Sequence, residues 1–128
     1  MYEDFFYLCP DKSRKMAGNN LYKGSLSTII LKLLQENEKM YGYEITQKAR
    51  EISGGKLKIT EGALYPALHK LEAEGLLDIE MVRVDNRVRK YYKLTEKGTR
   101  ETVNKLLELE DFLATLRQII NPKPDFAL

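Results

Sequence analysis

Residues 81–93 carry five cations, Arg83, Arg87, Arg89, Lys90 and Lys93, against one acid, Asp85. That is a surplus of four positive charges in thirteen residues of a 128-residue chain whose net charge is only +2. Guanidinium and ammonium groups at this density suit the paired acceptors of phosphate, although a charge run can also be no more than a solvated face. Just upstream, residues 60–77 read TEGALYPALHKLEAEGLL. At about 100° per residue, Leu64, Ala67, Leu68 and Leu71 form one apolar arc of a helix. The opposite arc holds Glu61, Gly62, Tyr65, Pro66 and His69, with Lys70 at its edge. A merely solvated helix in so charged a chain would fill that arc with Lys and Glu; here it is small and polar near its start and not uniformly charged, as a surface that meets base edges would be.

The same inventory excludes other chemistries. One cysteine, Cys9, permits no internal disulfide, and one histidine, His69, permits none of the usual Cys/His zinc sets. No histidine pairs with Cys9 as a catalytic base and no Gly-rich phosphate loop is present. The carboxylates are spread over helical faces, so an enzyme is disfavoured, and neither a metal nor a cofactor is expected. No apolar run approaches the roughly 18 residues of a membrane span, and residues 1–9 lack a signal-peptide pattern, so the expectation is a cytoplasmic protein with no membrane partner.

The elements that must position these residues follow from periodicity. Thr60 is a strong N-cap, Glu61 a favourable first-turn acid and Gly75 a left-handed stop for the central helix. Pro66 removes one of its hydrogen bonds, opposite the carbonyl of Gly62, which leaves a bent or late-starting core helix as the structural alternative. Before it, Leu26, Ile29, Ile30, Leu33 and Leu34 predict an amphipathic helix over residues 23–35. A second helix follows Tyr41-Gly42-Tyr43 and runs to about residue 52, with Ile45, Ala49 and Ile52 inward. Three helices with short connections are in helix-turn-helix order. Residues 76–84 and 88–94 predict a β-hairpin turning at Asp85-Asn86. Its register sets Leu77 against Leu94, Ile79 against Tyr92 and Met81 against Lys90 on one side, with Asp78 against Lys93 and Val82 against Arg89 on the other. Tyr92 is thereby assigned to the core and Tyr91 to the side of Arg89.

The last helix spans residues 96–120. Thr102, Leu106, Leu109, Leu113, Leu116 and Ile120 are spaced 4, 3, 4, 3, 4, the seam of a coiled pair. About 25 residues of helix run near 37 Å, longer than a three-helix head covers. The choices are a helix folded back on its own domain or self-association, and the length favours the second.

Four ordered blocks resemble the PadR family of bacterial transcriptional regulators. They are Gly24-Ser25-Leu26 with Ile30-Leu31; Tyr41-Gly42-Tyr43-Glu44-Ile45; residues 62–72 with Gly75-Leu76; and Arg87-Val88-Arg89-Lys90-Tyr91-Tyr92 with Leu94-Thr95 and Gly98. Ala63 stands where that family commonly has Ser or Thr, and the leader before Asn20 lies outside the shared pattern. The resemblance implies a mainly α chain with a small β-hairpin (α+β), a winged helix-turn-helix head at residues 21–95 and a dimerisation helix at 96–121. An extension at 1–20 and a tail at 122–128 flank them. It also implies a repressor that binds a palindromic operator in double-stranded DNA as a homodimer. Short members bind flat aromatic compounds against tryptophan in a central cavity. This chain has no Trp, so a small hydrophobic effector would need another mode of binding.

The expected DNA contacts are Thr60, Glu61, Gly62, Tyr65, Pro66, His69 and Lys70 on the central helix, with Arg83, Arg87, Arg89 and Lys90 on the wing. Lys39, Tyr41 and Tyr43 join them at the start of the second helix. Glu61 is divided between helix capping and a contact to cytosine. Tyr65 is divided between DNA and packing on the second helix, and His69 between contact and solvent. Leu106, Leu109, Leu113, Leu116 and Ile120 are assigned to the dimer seam. The rival reading is a winged-helix module that binds a protein partner without sequence-specific DNA binding.

Overall fold

The computed structural model describes residues 22–122. The extension at 1–20, with Cys9, and the tail beyond residue 122 lie outside the described residues. A 3-10 turn at Lys23–Ser25 leads into α1, Leu26–Glu36. Then come β1, Met40–Tyr41; α2, Gly42–Ile52; and α3, Glu61–Ala73. The strands β2, Leu77–Val84, and β3, Arg87–Leu94, precede α4, Glu96–Ile120.

Apolar periodicity builds the head. Leu26, Ile30, Leu31 and Leu34 of α1, Ile45 and Ala49 of α2, and Leu64, Leu68 and Leu71 of α3 are buried in one cluster. Tyr92 from β3 closes it from the sheet side, as the hairpin register requires. The β2–β3 pairing is the one the sequence specifies, with Ile79 opposite Tyr92 and Val82 opposite Arg89. At the turn Asp85 takes a φ of 51°, a left-handed conformation that aspartate tolerates better than most residues. The sheet has a third strand that the sequence reading lacks: β1 pairs with β3, giving the order β1-β3-β2 with β3 in the centre.

Two assignments are corrected. Ile52 is 71% exposed, because α2 ends there and the chain turns away through Gly54 and Gly55, both at positive φ. Its side chain lines a mainly apolar groove of about 570 Å³ together with Ile29 and Leu33 of α1 and Leu106 and Leu109 of α4. Thr102, assigned to the seam, is instead fully buried in the head, where its hydroxyl donates to the Gly98 carbonyl at 2.7 Å.

The root of α4 is tied to the end of α3. Thr95 caps α4 by accepting from Gly98 N–H (2.9 Å) and donates its own proton to the Gly75 carbonyl (2.7 Å). Gly98 is so close to Leu76 that a Cβ there would collide with the Leu76 carbonyl oxygen. Beyond Leu109 the helix leaves the head. Phe112, Leu113, Leu116, Ile119 and Ile120 are all exposed, so the distal half of α4 does not pack on its own domain, while its proximal half lies against α1.

Candidate nucleic-acid interface

The central helix forms because its first turn is satisfied. Thr60 Oγ1 accepts from Ala63 N–H at 3.2 Å, and the Glu61 carboxylate sits where the helix dipole favours it. Thr60 thus has a structural role in the free protein. Pro66 lies within a continuous α3, so the late-starting alternative does not hold. Glu61, Gly62, Tyr65, Pro66, His69 and Lys70 are all exposed along one face. Gly62 is open: a Cβ there would meet nothing within 4 Å. Nothing within the described head demands a glycine at that position.

Tyr65 packs against the start of α2 and keeps part of its side chain open to solvent. It is 38% exposed, and its hydroxyl abuts Gly42 so closely that a Cβ on Gly42 would stand 2.5 Å from the oxygen. The residue before Gly42 is Tyr41, whose ring carries the Arg89 guanidinium at 4.4 Å. Tyr65 from α3 and Arg89 from β3 therefore abut one two-residue corner, Tyr41-Gly42, where β1 passes into α2. Sheet pairing makes that corner: Tyr41 lies opposite Tyr91, and their rings meet edge to face at 5.4 Å. The Tyr41 N–H donates to Glu44 Oε1 at 3.1 Å, which fixes the start of α2. Tyr43, one residue beyond the corner, is exposed.

Electrostatics on this sheet face are more balanced than the sequence surplus suggests. Hydrogen bonding to the Tyr91 side chain holds the Arg89 guanidinium above its ordinary pKa, with the neighbouring Tyr41 and Glu44 acting in the same direction. Lys39 Nζ pairs with Glu80 at 3.0 Å and lies 5.4 Å from the centre of the Tyr91 ring. That hydrogen bond pushes the Lys39 pKa up and draws the Glu80 carboxyl below its usual range. Lys93 approaches the other Glu80 oxygen at 3.7 Å. Arg83 and Arg87 are exposed and form no ion pair with another described residue. Lys90 stands on the opposite sheet face, its ammonium 5.6 Å from the centre of the Tyr92 ring. The cations thus divide between two faces of the hairpin: Arg87, Arg89 and Lys93 on the Tyr91 side, Arg83 and Lys90 on the other.

Glu80 is the residue of this site that the sequence reading passed over. Its only signal was the register, which puts it opposite Tyr91 and beside Lys93. Among the described residues no group of three His, Cys, Asp or Glu could hold a metal ion, and no helix is long and apolar enough to cross a membrane.

Residues 30–104 match the transcriptional regulator PadR-like family. The transcriptional regulator Rv3488 of Mycobacterium tuberculosis is 42% identical over 69 residues, which are 54% of this chain and 61% of that protein. Among solved structures, a transcriptional regulator from Clostridium thermocellum superposes with a TM-score of 0.69 at 31% identity, covering 80% of this chain and 96% of that one. A PadR family transcriptional regulator from Eggerthella lenta gives 0.70 at 25% identity, covering 81% and 88%. With the family match extending from α1 through the wing into α4, and the same architecture in solved regulators, this chain belongs to the PadR-like family of transcriptional regulators and has its winged-helix fold.

Proposed function

We propose that this regulator binds a palindromic operator in duplex DNA as a homodimer and acts as a repressor. In this reading the head at residues 21–95 reads DNA and the helix at 96–121 pairs two heads. The exposed face of α3 enters the major groove, where Gly62 lets the backbone approach and Tyr65, Pro66, His69 and Lys70 meet base edges or phosphates. The cations of the wing, Arg83, Arg87, Arg89 and Lys90, pair with the flanking phosphates. Tyr41 and Tyr43 line the corner between these elements. The observation that carries the reading is the convergence of Tyr65 and Arg89 on Tyr41-Gly42, which lets one duplex meet both helix and wing.

Dimerisation follows from unburied apolar surface. Leu113, Leu116 and Ile120 continue the seam that begins at Leu106 and Leu109, and they are exposed on a helix that has left its own head. A two-fold pair through that seam matches a palindromic site. A small hydrophobic effector acting at the dimer centre would change the angle between heads.

Selection of bound sequences from random duplex DNA, followed by binding across a salt series, tests the whole. The expected result is an inverted repeat whose affinity falls steeply with salt, by about 0.9 log unit per log unit of salt for each phosphate contact. No enriched site and a flat salt response would favour a protein partner instead. A reporter placed behind the selected site distinguishes repression from activation, and calorimetry against a panel of hydrophobic compounds tests the effector.

A further inference from the structure

Outside the recognition helix, the Glu80 carboxylate on the wing is enclosed by cations. Glu80 takes Lys39 on one carboxylate oxygen and Lys93 on the other, at 3.0 and 3.7 Å. The two lysines come from different elements, the loop before β1 and strand β3. The carboxylate therefore bridges them as a phosphate would, with two anionic oxygens between two ammonium groups. It lies on the Tyr91 face of the sheet, the face on which Arg89 covers Tyr41. All three side chains are partly open to solvent, between 35% and 44% exposed, so an outside anion can reach the same ammoniums. Asp78, opposite Lys93 in the register, adds a second negative charge on that side, while Lys39 has Glu80 as its only ion-pair partner among the described residues.

We infer that Glu80 is an internal phosphate surrogate, which withholds Lys39 and Lys93 from DNA and so lowers the affinity of this protein for duplexes of arbitrary sequence. The inference rests on the DNA-binding reading above. Non-specific binding is almost wholly electrostatic. Each lysine neutralised internally is one fewer counterion released from the duplex. Base contacts made by α3 are untouched by Glu80, so its carboxylate sharpens the ratio of operator to random binding without contacting a base.

The test uses the full chain with Glu80→Gln, Lys39→Met and the double variant, each titrated against an operator duplex and a random duplex across a salt series. Glu80→Gln should steepen the random-duplex salt slope by about one to two units and tighten that binding roughly five- to tenfold per lysine released at 0.1 M salt. Operator binding should tighten less, so the ratio falls. Lys39→Met should leave the slope of the otherwise native protein unchanged and remove about one unit from the Glu80→Gln background. Unchanged or weaker random-duplex binding by a folded Glu80→Gln protein overturns the inference. If that variant fails to fold, loss of one unit of slope on Lys39→Met alone overturns it, because Lys39 would then already be engaging phosphate. A native protein that binds no duplex sinks the DNA-binding reading as well, whereas native binding with an indifferent Glu80→Gln variant sinks this inference alone.

Discussion

The guanidinium of Arg89 rests 4.4 Å from the centre of the Tyr41 ring, so a wing residue is held by the residue that opens α2. The ring replaces solvent on one side of the cation, and in the proposed DNA-binding mode the other side meets phosphate. Tyr41→Leu should weaken duplex binding about two- to fivefold, the effect expected when an exposed cation–π contact no longer orders the arginine. Fluorescence anisotropy with labelled duplex measures it. Arg89→Ala should go further and lower the salt slope by about one unit.

Gly62 separates a DNA reader from a protein whose α3 is only scaffold. Its Cβ position is open and lies in the first turn of α3, so Gly62→Ala should raise the stability of the free protein by about 0.5 kcal/mol or less through helix propensity. The same methyl group should reduce operator affinity, because it stands between the backbone and the groove. Thermal melting and anisotropy on one preparation give both numbers. Equal affinity for the two proteins would remove Gly62 from the interface.

Gly42→Ala acts through Tyr65. The three atoms nearest the added Cβ all belong to the outer end of the Tyr65 side chain, so the tyrosine gives way at small cost in stability. Operator affinity should drop while the melting temperature changes little. A large loss of stability with unchanged DNA binding by the folded fraction would show that Tyr65 serves packing alone.

The Lys39–Glu80 pair sets a pH dependence with a defined sign. The Glu80 carboxyl is held below its ordinary 4.5, so its contribution is present above about pH 4.5 and disappears as pH falls through the lowered value. Lys39 is held above 10.5, so its share persists below pH 10.5 and is lost as pH rises through the raised value. Glu80→Gln should therefore flatten both limbs of the melting-temperature profile and leave its centre nearly level. The effect is small, because the pair is partly exposed. Unaltered acid and alkaline limbs in the variant would count against the pairing.

The seam on α4 predicts assembly. Leu113→Glu with Leu116→Glu places two charges on the exposed apolar face, and sedimentation equilibrium should show a monomer where the native chain is a dimer. The head should keep its melting transition, since neither side chain is buried in it. DNA affinity should fall by far more than the loss of one contact explains, because two linked heads bind with high effective concentration.

The parts of the fold that the sequence disclosed are those with redundant local signals. The hairpin register follows from period-two alternation fixed by Asp85-Asn86, and α3 has both a cap at Thr60 and a stop at Gly75, where φ is 79°. Strand β1 was illegible because two residues, Met40 and Tyr41, are too few to show a period; only the long-range pairing with β3 makes them a strand. Ile52 misled because its spacing fits α2 while the helix ends before the core covers it. Thr102 misled because one unbroken heptad pattern serves two partners in turn, the head up to Thr102 and open surface past Leu109. At the interface, residue types disclosed the cations but not their occupancy, since Lys39 and Glu80 are 41 positions apart.

Gly98 gives α4 a rigid footing. With no room for even a methyl group between that turn and the Leu76 carbonyl, the first turn of α4 is seated directly on the end of α3, and a difference of about 5° in the direction of α4 would displace the far tip of a 25-residue helix by roughly 3 Å. In the proposed dimer the spacing between the two heads would therefore be set at the tips, much as a caliper is set at its hinge.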